Sequence, residues 1–255
     1  MENGQATKIA IVTGGSRGLG RKVVLSLARR GVSSIFTYHS NQEAATKVVA
    51  EVAALGQRAI ALQLDAGNVS KFPAFVQEVQ GALQSLQADR FDYLVNNAGT
   101  ALYKLFAETT EEEVDALYNI HFKGVFFLTQ ALLPLISDGG RIVNVSSGLA
   151  RFSFPGSSAY ASMKGAIEVL TRYLAKELGS RGIAVNTVAP GAIATDFGGG
   201  RVRDDANMNQ TIASLTALGR VGLPDDIGPM IASLLSEDNR WINAQRIEVS
   251  GGMNI

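Results

Sequence analysis

Tyr160 and Lys164 lie four residues apart within Ser157 to Leu178, a segment whose apolar residues recur with helical period, so the two side chains share one helix face. An unperturbed tyrosine, with a pKa of about 10, is a poor acid–base group at neutral pH. A neighbouring ammonium favours the phenolate and can lower that value by about 1 to 3. Such a phenol can protonate a carbonyl oxygen while hydride reaches the carbon, or deprotonate an alcohol in the reverse direction. Ser147 stands thirteen residues before Tyr160, at the expected end of a strand, where its hydroxyl can hold a substrate oxygen. A Tyr-x3-Lys pair alone is common on helix surfaces, and a Ser-Ser strand end alone is unremarkable. Their meaning comes from the rest of the chain.

The second feature is the turn Thr13-Gly14-Gly15-Ser16-Arg17-Gly18-Leu19-Gly20, set between a short apolar run and a helical stretch. Backbone amides at a helix N-terminus bind phosphate, and glycines let a pyrophosphate approach closely. The spacing is Gly-x3-Gly-x-Gly rather than the commoner Gly-x-Gly-x2-Gly. A site for NAD usually carries an acidic residue about 20 positions further on, to hold the ribose 2′-hydroxyl. Here that stretch reads Thr37-Tyr38-His39-Ser40-Asn41, and the first acid, Glu43, already belongs to the next helix. A 2′-phosphate wants donors and positive charge, which Arg17, Ser40 and Asn41 can supply. NADP(H) is therefore expected in preference to NAD, with Tyr38 and His39 beside it.

Elements that position these groups follow from periodicity. Ile9–Val12, Ser34–Tyr38, Ala59–Leu64, Tyr93–Val95, Ile142–Val145, Ala184–Val188 and Ile247–Val249 read as buried strands. Helical stretches run over Leu19–Arg30, Glu43–Leu55, Val69–Leu86, Glu111–Leu133 and Ser157–Leu178. Thr110 and Glu113 predict a capping box, and Gly31 a left-handed helix end. This alternation predicts a single α/β domain over residues 1–255, a parallel sheet covered by helices on both faces. Cofactor binding falls mainly in 8–100, and catalysis and substrate binding mainly in 101–255.

Composition narrows the function. The 255 residues are 46% hydrophobic, enough for one continuous core, and 23 basic side chains balance 23 acidic ones. That balance advertises neither a nucleic-acid nor a membrane-surface partner. The absence of cysteine removes disulfides, thiolate metal sites and cysteine nucleophiles, and no metal is expected. The start, MENGQATK, has no apolar signal stretch, and Val125–Ile136 is too short to span a bilayer. A soluble cytoplasmic enzyme is the expectation.

Taken together, the chain closely resembles the short-chain dehydrogenase/reductase family over essentially its whole length. The matching segments are the Thr13–Gly20 turn, Leu64-Asp65, Asn96-Asn97-Ala98-Gly99, Ser147, Tyr160, Lys164, Asn186, Pro190-Gly191 with Ile193 and Thr195, and Ser250-Gly251-Gly252. The resemblance implies a Rossmann-like, doubly wound parallel sheet of about seven strands, with Asp65 and Ala66 at the adenine and Asn97, Ala98 and Gly99 along the cofactor. It also implies that Pro190, Gly191, Ile193 and Thr195 reach the nicotinamide end, that Lys164 also binds the nicotinamide ribose, and that the assembly is a homotetramer or homodimer pairing helices 111–133 and 157–178. One position departs from the family. Where it usually carries a catalytic Asn, three residues before Gly124, this chain has His121. An imidazole both donates and accepts hydrogen bonds, so His121 is expected to replace that Asn in proton relay and to shape the pH profile near neutrality.

The substrate is expected to be a small carbonyl compound or alcohol. Phe152, Phe154 and Phe197 are its expected neighbours, with Leu102 and Tyr103 as weaker candidates, and they favour an apolar ketone. Phe197–Asn209, with its triple glycine, reads as a mobile lid given flexibility without specificity. Two other readings stand beside this one: a 3-oxoacyl-thioester reductase, which would show a basic docking patch for an acidic carrier, and a non-catalytic NADP-binding sensor or scaffold, which would lack the tyrosine or the lysine.

Overall fold

A computed structural model describes residues 7–255; the first six residues of the polar N-terminal stretch lie outside the described residues. Seven strands, β1 (Ile9–Val12), β2 (Ser33–Tyr38), β3 (Ala59–Gln63), β4 (Phe91–Asn96), β5 (Ile136–Val145), β6 (Ala184–Pro190) and β7 (Arg246–Val249), form one sheet in the order β3-β2-β1-β4-β5-β6-β7. Every pairing is parallel, for example Val12 opposite both Phe36 and Val95. Covered on both faces, the central strands can be apolar throughout: all of β1 and β6 is buried. The expected fold and all seven expected strands are present. Most strands extend by one to several residues, because ladder hydrogen bonds continue through polar positions that periodicity does not mark.

On one face, α1 (Gly18–Ala28), α2 (Gln42–Ala54) and α9 (Pro224–Leu234) bury Val23, Leu27, Val48, Ile227 and Ile231 against the sheet. On the other, α3 (Phe72–Ser85), α5 (Gly124–Leu132) and the end of α6 (Ser158–Glu177) bury Phe75, Leu83, Leu128, Leu132 and Leu178. Each large apolar side chain so removed from water contributes about 1.5–3 kcal/mol. Helix α9 was not among the expected helices, although Pro224 at its start and two acids in its first turn carry the N-terminal signal. Gly228 lets it lie directly on Lys22 of α1.

The expected helix 111–133 is not a uniform α-helix. It begins as α4 (Glu111–Tyr118), with the capping box between Thr110 and Glu113 in place. It then widens into a π-turn over Asn119–Lys123 before α5. A π-turn accommodates an additional residue in the helical ladder and often marks a functional position. This one carries His121 into the buried side of the cleft.

Beneath the site runs a buried polar chain. Asn96 Nδ2 donates to Asn144 Oδ1 (2.8 Å) and to Thr129 Oγ1 (3.0 Å), Asn144 Nδ2 to Thr171 Oγ1 (2.9 Å), and Thr187 Oγ1 to Thr171 Oγ1 (2.8 Å). It locks β4, β5, β6 and α6 in register, since each member has few alternative partners. Asn144→Ala orphans two buried partners and is expected to cost about 2 kcal/mol, lowering Tm by about 5 °C. An unchanged Tm in a thermal melt would show the chain to be dispensable.

Candidate active site

The cleft opens at the carboxyl edge of the sheet between β1 and β4, where the strand order reverses. Thr13 Oγ1 accepts from the amides of Asn97 (2.9 Å) and Ala98 (3.0 Å), and Asn97 Nδ2 returns a bond to Thr13 O (2.9 Å). The glycine turn is thus clamped to the end of β4. A Cβ at Gly20 would overlap the Gly14 carbonyl and Asn97 Nδ2, so this close packing requires glycine. The cleft is about 660 Å³, enough for a dinucleotide's reactive half and a substrate.

The expected cofactor residues converge on it. Gly14, Ser16, Arg17, Gly18, Leu19 and Gly20 line its floor, and Tyr38 and His39 close the end of β2. Asp65, Ala66, Asn97, Ala98 and Gly99 follow β3 and β4, and Pro190, Gly191, Ile193 and Thr195 form the opposite wall. Asp65 uses one carboxylate oxygen to hold the Gly67 amide (3.0 Å). Ser40 and Asn41 do not line the cleft. Asn41 is instead the N-cap of α2, its Oδ1 taking the Ala44 amide (2.9 Å), because a free helix N-terminus is the nearer claim on an Asn at that position. Arg17 carries the charge argument alone. It is exposed at the rim with no carboxylate partner among the described residues, whereas Arg21 is held by Glu51 (2.6 and 2.8 Å). Glu43 pairs with Lys47 (2.7 Å) on α2, leaving no acid at the end of β2.

Across the cleft, β5 ends in Ser146-Ser147, and α6 presents Tyr160 and Lys164 one turn apart. Tyr160 is 9% exposed, Lys164 5% and His121 1%. The His121 ring meets the Tyr160 ring edge-on, with centroids 5.1 Å apart, and lies over Gly99, where a Cβ would collide with it. His121 Nε2 is 2.8 Å from Thr100 O, while Nδ1 is buried without a partner. Ser147 Oγ accepts from the Leu149 amide (3.2 Å) and lines the cleft together with Tyr160. Behind it, Ser146 Oγ donates to Glu168 Oε1 (2.7 Å), and Arg246 joins Glu168 (2.7 Å) to the Ser147 carbonyl (3.3 Å).

Burial decides the protonation states. It raises the Tyr160 phenol above its ordinary value, with the Tyr103 hydroxyl adding to the effect and the nearby Ser147 hydroxyl opposing it. Lys164 does not offset this. Its Nζ lies 5.6 Å from the Tyr160 ring centroid and donates to Val145 O (2.7 Å), and burial draws the ammonium itself down to about 8. The expectation that a neighbouring ammonium acidifies the phenol is corrected for the protein by itself: desolvation wins there, and the phenol holds its proton more tightly than a free tyrosine. Burial, reinforced by Lys164, likewise drives His121 down to about 3. The imidazole is neutral at physiological pH, so its expected titration near neutrality is corrected as well.

Phe152, Phe154 and Phe197 all border the cleft, and Phe197 lies 6.0 Å from the Tyr160 ring. Tyr103 lines it too, and Leu102 does not. Periodicity offered no sign of Met253, but Met208 and Ile212, four apart on α8 (Ala206–Ser214), are a readable apolar pair that sequence reasoning missed. The lid folds as a turn over Phe197–Gly200, then α7 (Arg201–Asp204) and α8. Gly198, Gly199 and Gly200 have φ of 63°, 74° and 78°. Three successive left-handed residues are costly for any L side chain, and a Cβ at Gly198 would strike the Tyr103 ring. The triple glycine therefore specifies a shape, not looseness alone. Arg201 stacks on Tyr103 at 5.2 Å, and Arg203 bridges Asp196 and Asp204.

A family model described as enoyl-(acyl carrier protein) reductase matches residues 14–254, and the chain belongs to the short-chain dehydrogenase/reductase family. A hydroxynaphthalene reductase-like protein, Arp2, of Metarhizium brunneum is 36% identical over 97% of this chain and 95% of its own length. The angucycline C-6 ketoreductase LanV, solved with bound NADP, superposes with a TM-score of 0.93 at 34% identity, over 98% of this chain and 97% of that one. A short-chain dehydrogenase from Burkholderia cenocepacia in complex with NADP gives 0.89 at 35% identity, over 98% and 99%.

Two outcomes follow from the geometry. Arg17→Ala should raise KM for NADPH at least about 10-fold, the weight of a charge-assisted contact to phosphate, while KM for NADH barely moves; equal effects would refute the role of Arg17. His121→Asn should leave the pH–rate profile between about pH 5 and 7 unchanged, because neither side chain titrates there. Loss of an ionisation in that window would show that His121 carries a proton near neutrality after all.

Proposed function

We propose that this protein is an NADP(H)-dependent carbonyl reductase, reversible toward alcohol oxidation, in which Tyr160 is the general acid. The observation that carries the reading is the buried phenol of Tyr160, which lines the cleft with Ser147 at the carboxyl edge of the sheet, one helical turn from Lys164. The floor glycines and unpaired Arg17 fit a dinucleotide bearing a 2′-phosphate, and NADP in two similar structures supports the same cofactor. Reduced nicotinamide, when bound, supplies the hydride. Ser147 Oγ holds the substrate carbonyl oxygen, and Tyr160 gives that oxygen its proton as negative charge develops there. Lys164 keeps a positive charge near the reacting oxygen, where it faces the negative charge that develops, and would also hold the ribose. His121, through Thr100, fixes the face of the pocket behind Tyr160 and presents Nδ1 as an acceptor for a relaying water.

The aromatic wall of Phe152, Phe154, Phe197 and Tyr103 supports an apolar, ring-bearing ketone as substrate, in line with the naphthalene and angucycline compounds named for its relatives. Among the described residues no helix is long and apolar enough to cross a membrane, and an intracellular cofactor supports a cytoplasmic setting. Exposed Tyr118, Phe126 and Phe127, with Val169 and Tyr173 on α6, support pairing of these helices in a homodimer or homotetramer.

The reading is tested by following NADPH and NADH oxidation against bicyclic ketones, small ketones, keto esters and acyl thioesters. Turnover with NADPH and a bicyclic ketone is expected, and Tyr160→Phe should lower kcat by about 10²- to 10⁴-fold. Wild-type turnover in that variant, under chemistry-limited conditions, would refute the role of Tyr160. Turnover confined to acyl thioesters would move the protein to the thioester-reductase class.

A further inference from the structure

Arg151, on the surface after β5, makes contacts that no catalytic role explains. Its guanidinium grips Glu248 of β7 through Nε (2.6 Å) and Nη2 (2.8 Å). The same group donates to two backbone carbonyls of the 250–254 segment, Met253 O (2.8 Å) and Asn254 O (3.1 Å). It also lies over the ring of Phe152, 5.4 Å from the centroid. Four donations from one planar fork fix that segment in position and in orientation.

What the segment carries gives the grip a consequence. Met253 is buried and lines the cleft in the same apolar cluster as Phe152. It packs with Ile212 of α8 and with Val221, with Phe152 and Met208 against them. The segment also pairs with the chain just beyond the lid helix: the Ala217 amide donates to Gly252 O (3.2 Å), Leu218 to Gly251 O (3.0 Å) and Asn254 to Leu215 O (3.0 Å). Lid helix, 250–254 segment and Phe152 thus form one small apolar cluster, separate from the two cores beside the sheet, and Arg151 ties it to β7.

We propose that Arg151 is a positioning residue for substrate selectivity, holding Met253 in place as the wall that a bulky ketone rests on. This rests on the carbonyl-reductase reading. Arg151 touches neither Tyr160 nor the glycine turn; its link toward Ser147 runs through Glu248 to Arg246, which keeps its own bonds to Glu168 and the Ser147 carbonyl when Arg151 is lost, so that loss loosens the wall and spares the chemistry. A small ketone does not reach that wall and is insensitive to it.

The test compares α-tetralone with cyclopentanone, using NADPH. Arg151→Gln should raise KM for α-tetralone by about 5- to 10-fold, with kcat and both constants for cyclopentanone within about twofold. Met253→Ala should reproduce that pattern, and the double variant should be no worse than the more affected single one, because the two changes remove one wall. Arg151→Lys should recover part of the effect. Equal losses on both ketones, a fall in kcat alone, or multiplying effects in the double variant would overturn the proposal. Hydrogen exchange gives a reading independent of turnover: the amides of Ala217, Leu218 and Asn254 should exchange faster in Arg151→Gln, while α6 is unaffected. Unchanged exchange there overturns the coupling. Faster exchange in a protein that reduces neither ketone supports the coupling and overturns the carbonyl-reductase reading instead.

Discussion

Taking a phenol out of water penalises its charged form, and the active site is arranged around that penalty. Tyr160, His121 and Lys164 sit within one dry pocket, and each is pushed toward its neutral form. For the histidine and the tyrosine the push is decisive. The lysine, drawn to about 8, still holds its proton through most of the physiological range. The pocket therefore contains one positive charge, one neutral proton donor and one neutral imidazole. On the proposed reading, a carbonyl oxygen acquiring negative charge finds a donor and a field in place, with little reorganisation needed.

The fold exists to keep that pocket dry and in register. The polar chain from Asn96 to Thr187 fixes four elements relative to one another under the site. The Thr13–Asn97 clamp holds the glycine turn at the sheet's reversal point. The π-turn in the 111–132 run brings His121 over Gly99, close enough that only glycine fits beneath the ring. These are short-range steric and hydrogen-bonding constraints, and together they leave the catalytic groups little freedom.

The parallel sheet and the cofactor floor were legible from the sequence because both are written in local patterns. Apolar runs of three to six residues give strands, and the spacing Gly14, Gly18, Gly20 gives the turn. Side-chain competition was less legible. Asn41 looks like a phosphate donor until the geometry shows it capping α2. The charge states were less legible still: a lysine one turn from a tyrosine suggests an acidified phenol, but burial and the Val145 carbonyl intervene. Met253 is brought to the cleft by β7 and a tail pairing that no periodicity announces. The triple glycine signalled flexibility, and only the angles reveal a specified left-handed turn.

The central claim is that Tyr160 is a neutral acid until ligands enter. Tyrosinate difference absorbance, titrated for the wild type and for Tyr160→Phe and then subtracted, measures that ionisation directly. The account predicts no Tyr160 phenolate below about pH 10 in the protein alone. A phenolate signal already present near pH 7 to 8 would mean that Lys164 outweighs burial, and would contradict it.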